Sequence, residues 1–229
     1  MIRSIFRARI FSLFSWRLAL GAALLPLIGG CEVLGVIVYK TAGPAPIKAL
    51  YVPPKDQPML VLVESYGSAG DIEIDVNNLN TDLQKEIKDN KIAPVVDPQS
   101  LEKLRESDEN AFRNMTVDGI GRALGARQVL YVNVINSQLE IPTGNQNVRG
   151  VLEAQVRVVD AATGQTRWPH DAASQHVIVK TPWADNSAPD VQMQVRDKMA
   201  DEAADNIARF FYDYKPNTET ESEKVNVDN

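Results

Sequence analysis

Cys31 is the only cysteine among 229 residues, so neither an internal disulfide framework nor a thiolate-rich zinc site can brace this chain. Its position is equally restrictive. The thirty residues before it carry Arg3, Arg7, Arg9 and Arg17, then an apolar run over 18–28 and the small pair Gly29-Gly30, with no acidic residue anywhere. A basic stretch, an apolar stretch and small residues before a cut site make a secretory signal peptide over residues 1–30. Whatever folds must therefore do so from the remaining chain, outside the cytoplasm, by burying apolar surface.

The end of that leader, Leu27-Ile28-Gly29-Gly30-Cys31, resembles the lipobox of bacterial lipoproteins. The resemblance implies a diacylglyceryl group on Cys31, cleavage before it and acylation of the new amino terminus. Three acyl chains exceed the two signals that stable anchoring requires. Glu32 follows, not the Asp that marks inner-membrane retention in many Gram-negative members, which implies the periplasmic face of the outer membrane. The competing account is an uncleaved anchor from Leu18 to Tyr39, which Glu32 and Gly29-Gly30 disfavour. Removing residues 1–30 takes away four Arg and no acid, leaving 20 Lys+Arg against 30 Asp+Glu and a net charge of −10. That surface does not cling to anionic lipid, so membrane attachment rests on the lipid itself. A pI near 5.0 also excludes nucleic acid as a partner, which would need a basic stripe.

Five prolines, Pro44, Pro46, Pro53, Pro54 and Pro58, make residues 31–58 the lipidated cysteine and an extended spacer. Residues 215–229 form an acidic tail with too few apolar groups to order itself. The domain between them is residues 59–214. Met59-Leu-Val-Leu-Val-Glu64 reads as a strand covered on both faces. Asp71 opens a helix whose stripe is Ile72, Val76, Leu79, Leu83 and Ile87. Residues 92–96 are a short second strand, Asp97-Pro98 starts a helix, and Thr116 caps another that Gly125 ends. The chain then turns to strands at 128–141 and 150–160, and through Thr166-Arg-Trp168 to one near 175–180. A last helix covers about 189–214, with Val191, Val195, Met199, Ala203, Ile207, Phe211 and Tyr214 at helical spacing. The order β-α-β-α-α-β-β-β-α predicts an α/β (α+β) fold, a mixed sheet with helices packed on it.

Three stretches carry a further resemblance. They are Val95-Val96-Asp97-Pro98-Gln99-Ser100-Leu101-Glu102-Lys103-Leu104, then Ile120-Gly121-Arg122-Ala123-Leu124-Gly125-Ala126-Arg127-Gln128-Val129-Leu130, and Val156-Arg157-Val158-Val159-Asp160-Ala161-Ala162-Thr163-Gly164-Gln165-Thr166-Arg167-Trp168. The pattern is similar to envelope lipoprotein domains related to the TolB amino-terminal domain, the curli-secretion lipoprotein and the lipoprotein activators of penicillin-binding proteins. It implies a fold and a partner that is a cell-wall synthase, a secretion apparatus or copies of the chain itself. The short link between Ile141 and Gly150 departs from secretion-channel members, whose hairpins must cross a bilayer.

Candidate chemistry is sparse. Tyr66-Gly67-Ser68-Ala69-Gly70-Asp71 has the place of a phosphate loop but no cation, and Asp71, Glu73 and Asp75 occupy the helix start instead. His170 and His176, with Asp171 or Asp185 as a third ligand, are the material for a metal-assisted hydrolase. No Ser sits in a Gly-x-Ser-x-Gly elbow. Trp183 in a proline-containing loop and Trp168 after the Thr-Gly turn are the candidate binding residues, with Tyr212 and Tyr214 more suited to packing. The sequence thus points to a non-catalytic, lipid-anchored interaction or assembly module of the cell envelope, with no metal and no cofactor. The alternatives are the hydrolase and a subunit of an oligomeric secretion channel.

Overall fold

Alternation in two long strands organises the domain. In the computed structural model, which describes residues 44–65, 74–144 and 146–216, β2 (Gln128–Glu140) and β3 (Asn147–Asp160) pair antiparallel from Gln128↔Asp160 to Glu140↔Arg149. β1 (Met59–Ser65) lies parallel to β2, Met59 opposite Gln128. The other edge of β3 is shared by three short strands: β4 (Thr166–Trp168), β5 (Gln175–Lys180) and β6 (Ala184–Asp185). The sheet is mixed, as the sequence predicts, and among the described residues it has six strands.

A parallel β1–β2 pair needs a crossover, and among the described residues four helices lie in it: α1 (Val76–Asp89), α2 (Pro98–Ser107), α3 (Glu109–Arg113) and α4 (Val117–Ala123). They divide between the faces of the sheet. Leu79, Leu83 and Ile87 of α1 join Met199, Ala203 and Ile207 of the last helix, α5 (Val191–Ala208), against Val61, Leu130, Val132, Leu152 and Val156. Leu101, Phe112 and Ile120 from α2, α3 and α4 cover Leu60, Leu62, Val129, Tyr131 and Val159 on the opposite face. Each such side chain contributes about 1.5–3 kcal/mol by leaving water. Four alanines on α5, Ala200, Ala203, Ala204 and Ala208, are buried and let the helix lie close to the sheet.

Several elements differ from the sequence expectation. α1 begins at Val76, not Asp71, because Asp75 caps it, accepting a hydrogen bond from Asn77 N at 2.8 Å. Ile74 stays outside the helix, its N–H donating to Ser137 Oγ at 2.8 Å, and residues 66–73 lie outside the described part. The strand expected at 92–96 reduces to a single parallel bridge, Met59↔Val95: Pro94 has no N–H to extend a ladder, and Asp97 already caps α2. The short helix α3 and strand β6 have no counterpart in the sequence pattern. The last helix gives way to a 3-10 turn, Arg209–Phe211. The link between β2 and β3 is 141–146.

The spacer also ends sooner than expected. Lys48–Tyr214 is one compact unit. Leu50 N and Tyr51 N both donate to Phe210 O, at 2.8 and 3.0 Å, and Lys48 Nζ meets Asp213 Oδ2 at 2.7 Å. Pro53 is buried, and Gln128 Nε2 donates to Gln57 O at 3.0 Å. Residues 48–58 therefore belong to the fold. Residues 1–43 and 217–229, including Cys31 and nearly all of the acidic tail, lie outside the described residues.

The Asp160–Gly164 turn forms as its sequence predicts. Asp160 Oδ1 accepts from Ala162 N and Thr163 N at 2.8 and 3.0 Å, and Gly164 takes φ 73°. Asp160 Oδ2 receives Arg167 Nε and Nη2 at 3.0 and 2.6 Å, while Arg167 Nη1 reaches Gln57 Oε1 at 2.7 Å. The Arg167 hydrogen bonds, with those of the turn amides, hold the Asp160 carboxyl down at about 2. A carboxyl lowered on folding stabilises the protein above its unfolded value, near 3.8, and that contribution disappears as pH falls through about 2. Asp160→Asn should therefore cost about 1–2 kcal/mol at pH 7. In urea titrations its deficit against wild type should shrink between pH 4 and pH 2.

Two glycines test the packing. A Cβ on Gly121 would lie 2.6 Å from Val129 Cγ2 and 3.1 Å from Ala161 Cβ, both buried. On Gly150 it would meet Met199 Sδ at 2.8 Å, the far part of a flexible side chain. Gly121→Ala should cost about 1–3 kcal/mol even after its gain in helix propensity, and Gly150→Ala less, by chemical denaturation.

Candidate functional site

The face of the sheet opposite α1 and α5 is only partly covered. Strand period places Tyr131 and Asn133 of β2, Arg149, Glu153, Gln155 and Arg157 of β3, and His176, Ile178 and Lys180 of β5 on that side. α2, α3 and α4 cover its β1-side portion, including Tyr131. Beyond them Gln155, His176 and Lys180 are exposed, and Ile178 is 53% exposed. Between Val134↔Ala154 and Asn136↔Glu153 the register shifts, and Ile135, the extra residue of this bulge, is exposed too.

One end of this face gathers an aromatic, a cation and an acid. Glu140 lies opposite Arg149 across the ladder, and Arg149 Nε donates to Glu140 Oε2 at 2.7 Å. The Arg149 guanidinium carbon stands 4.4 Å from the centre of the Trp183 ring. β6 brings Trp183 here: Asp185 pairs with Asn147, Ala184 with Val148, and Asn186 N donates to Gln146 O at 2.7 Å. The structure thus places Trp183 beside the 141–146 turn. Trp183 remains 39% exposed and Ile141 49%. The signal in the sequence was the Pro182-Trp183 loop; Arg149 and Glu140 were not singled out, because only the hairpin register brings them together.

Trp168 is not part of that surface. It is 5% exposed, with ring centres 5.4 Å from both Phe210 and Phe211. Its place in β4 opposite Val158 turns it into the core, where an indole gains more from packing than a surface position offers. Tyr212 and Tyr214 pack on one another at 6.1 Å, with Arg209 over Tyr214 at 4.8 Å.

The histidines do not converge on a metal site. His170 and Asp171 are exposed in the link from β4 to β5, and His176 Nε2 lies 3.7 Å from Glu153 Oε2. Asp185 is opposite Asn147 while His176 is opposite Gln155, which at about 3.3 Å per residue puts them some 26 Å apart along β3. Among the described residues, no group of three or more His, Cys, Asp or Glu is placed to hold an ion. The loop at Tyr66–Asp71 lies outside the described residues. Among the described residues, no helix is long and apolar enough to cross a membrane.

Neither a family model nor a curated protein matches the chain. Solved structures similar to it include lipoprotein GNA1162 from Neisseria meningitidis, at 14% identity and TM-score 0.43, covering 66% of this chain and 99% of that one. The PelC dodecamer from Paraburkholderia phytofirmans is similar at 13% identity and TM-score 0.39, over 69% and 93%. The LpoB C-terminal domain from Salmonella enterica is similar at 18% identity and TM-score 0.37, over 63% and 93%. The likeness is loose.

The two tryptophans should respond oppositely. Trp168→Ala should lose about 3–5 kcal/mol in chemical denaturation, whereas Trp183→Ala should lose about 1 kcal/mol or less.

Proposed function

We propose that this chain is a non-catalytic lipoprotein of the bacterial envelope, held by acyl chains on Cys31 at the periplasmic face of the outer membrane. There it presents its α/β domain to another envelope protein. The observation that carries this reading is the place of the sole cysteine, directly after an Arg-bearing, acid-free, apolar leader ending in Gly29-Gly30. The surface that suits the partner is the Trp183 end of the open face. An exposed indole backed by a paired arginine is the type of group that dominates protein interfaces, because it buries much area at small entropic cost.

Mass spectrometry of the membrane fraction should find the mature chain beginning at Cys31 with its acyl groups, and Cys31→Ala should not yield that acylated, cleaved form. A photo-crosslinker at position 183 should then trap a discrete envelope protein, or a second copy of this chain. A cytosolic product with a bare thiol and its first methionine overturns the anchoring. Absence of any adduct at 183, with adducts elsewhere on the domain, overturns the assigned surface.

A further inference from the structure

β5 lies at the margin of the sheet, and among the described residues no strand pairs with its outer edge. Its inner groups are committed to the ladder with β3, from Lys180 opposite Val151 to Gln175 opposite Val156. Thr181 N donates to Gly150 O at 3.0 Å, so by alternation the N–H and C=O groups of Val179, Val177 and Gln175 also point to β3. Those of His176, Ile178 and Lys180 point outward. The His176 carbonyl accepts from Gln175 Nε2 at 3.1 Å, a side-chain bond that an incoming strand can displace.

Natural edges are usually shielded by a proline, a bulge or a covering segment. Gln175–Lys180 holds no proline, and its ladder to β3 runs without a register shift. His176, Ile178 and Lys180 all carry their side chains on the open face and are exposed. Lys180, the kind of residue that guards an edge, keeps its ammonium in water there even when a strand joins. Such an edge is complementary to itself. Antiparallel pairing joins outward residues to outward residues, and one register overlaps the strand completely: Ile178 with Ile178, and His176 with Lys180. A two-fold axis then passes beside Ile178, and the two exposed isoleucines cover one another. Lys180 of the second copy comes beside His176, whose Nε2 lies 3.7 Å from Glu153 Oε2, so a cation approaches that acid. β5 itself has no acidic residue, although the chain from Cys31 onward carries a net charge of −10.

We propose that two copies of this chain pair edge to edge through β5, antiparallel and centred on Ile178, so that one sheet runs through both. The register supplies about six backbone hydrogen bonds over roughly 17 Å of strand. That places the contact among the small interfaces, under roughly 1,200 Å², so the dimer is reversible and forms where copies are crowded. The pair is closed, because each copy uses its β5 edge once, and no filament follows. The contact depends on neither the lipid anchor nor the Trp183 surface.

Sedimentation equilibrium of the full-length chain, in density-matched detergent with micelles in excess, should show a monomer–dimer equilibrium. Ile178→Lys sets like charges at the axis and should raise the dissociation constant at least tenfold. Its circular dichroism melting curve should stay near that of wild type, because residue 178 is 53% exposed. Cysteine crosslinking reads the register. The two copies of position 178 would stand about 5.5 Å apart at Cα, within disulfide range. Ile178→Cys should therefore give disulfide dimers under mild oxidation, with wild type supplying the background from Cys31. His176→Cys and Lys180→Cys, each about 14 Å from the same position in the other copy, should not. If Ile178→Lys fails to fold, the crosslinking pattern decides. A chain that stays monomeric at every concentration overturns the proposal and leaves the edge to a different partner. A dimer undiminished in a folded Ile178→Lys, or His176→Cys crosslinking as readily as Ile178→Cys, overturns it as well.

Discussion

The antiparallel ladder between β2 and β3 is the constraint to which the rest of the domain is attached. Along β3, Leu152, Ala154, Val156 and Val158 enter the core under α1 and α5, while Arg149, Glu153, Gln155 and Arg157 take the other side. A slip of one residue would exchange these sets, driving two arginines into the alanine-lined space beneath α5. Three features pin the register. Gly150 accommodates Met199 directly above it, the irregularity at Ile135 absorbs one extra residue, and Asp160 closes the far end by holding its turn and Arg167 together. With β3 fixed, its second edge accepts β4, β5 and β6 one after another, and the surface loops follow from that order.

Much of this was legible because burial leaves a period. Continuous apolar sequence marked β1, alternation marked β3, and the stripe Leu79, Leu83, Ile87 marked α1. Failures came where two signals overlapped. Ile72-Glu-Ile-Asp-Val76 fits a helix stripe by spacing, yet Asp75 gains more as a cap and Ile74 is better placed beside Ser137. Residues 92–96 have the composition of a strand, but edge position and Pro94 leave them a single bridge. Proline density suggested a detached spacer through Pro58. Pairing with Phe210, Asp213 and Gln128 draws in residues from Lys48 onward, and none of those partners is visible from local sequence.

The surface was harder to read than the core for the same reason. Trp168 and Trp183 look alike in sequence, each beside a turn and a proline. Their fates differ because one falls opposite Val158 inside the ladder, and the other enters the loop between β5 and β6. Arg149 and Arg157 are outward positions of an alternating strand and carry no local mark. Their environments arise from cross-strand neighbours, Glu140 and Tyr131, that lie nine and twenty-six positions earlier in the chain. Register is a long-range property, and a local motif search does not recover it.

That register also orders the domain along its length. The chain enters at residues 48–51, clipped to Phe210 and Asp213 where it leaves, and Phe210 packs on Trp168, the partner of Val158. Trp183 and β6 sit at the other end of the same strand, beside Val148. At about 3.3 Å per residue the two ends are roughly 33 Å apart. Both termini of the domain therefore leave from one end of β3, and the exposed tryptophan with its paired arginine occupies the opposite one. That arrangement follows from which segment of β3 each short strand pairs with, and from nothing in the loops themselves.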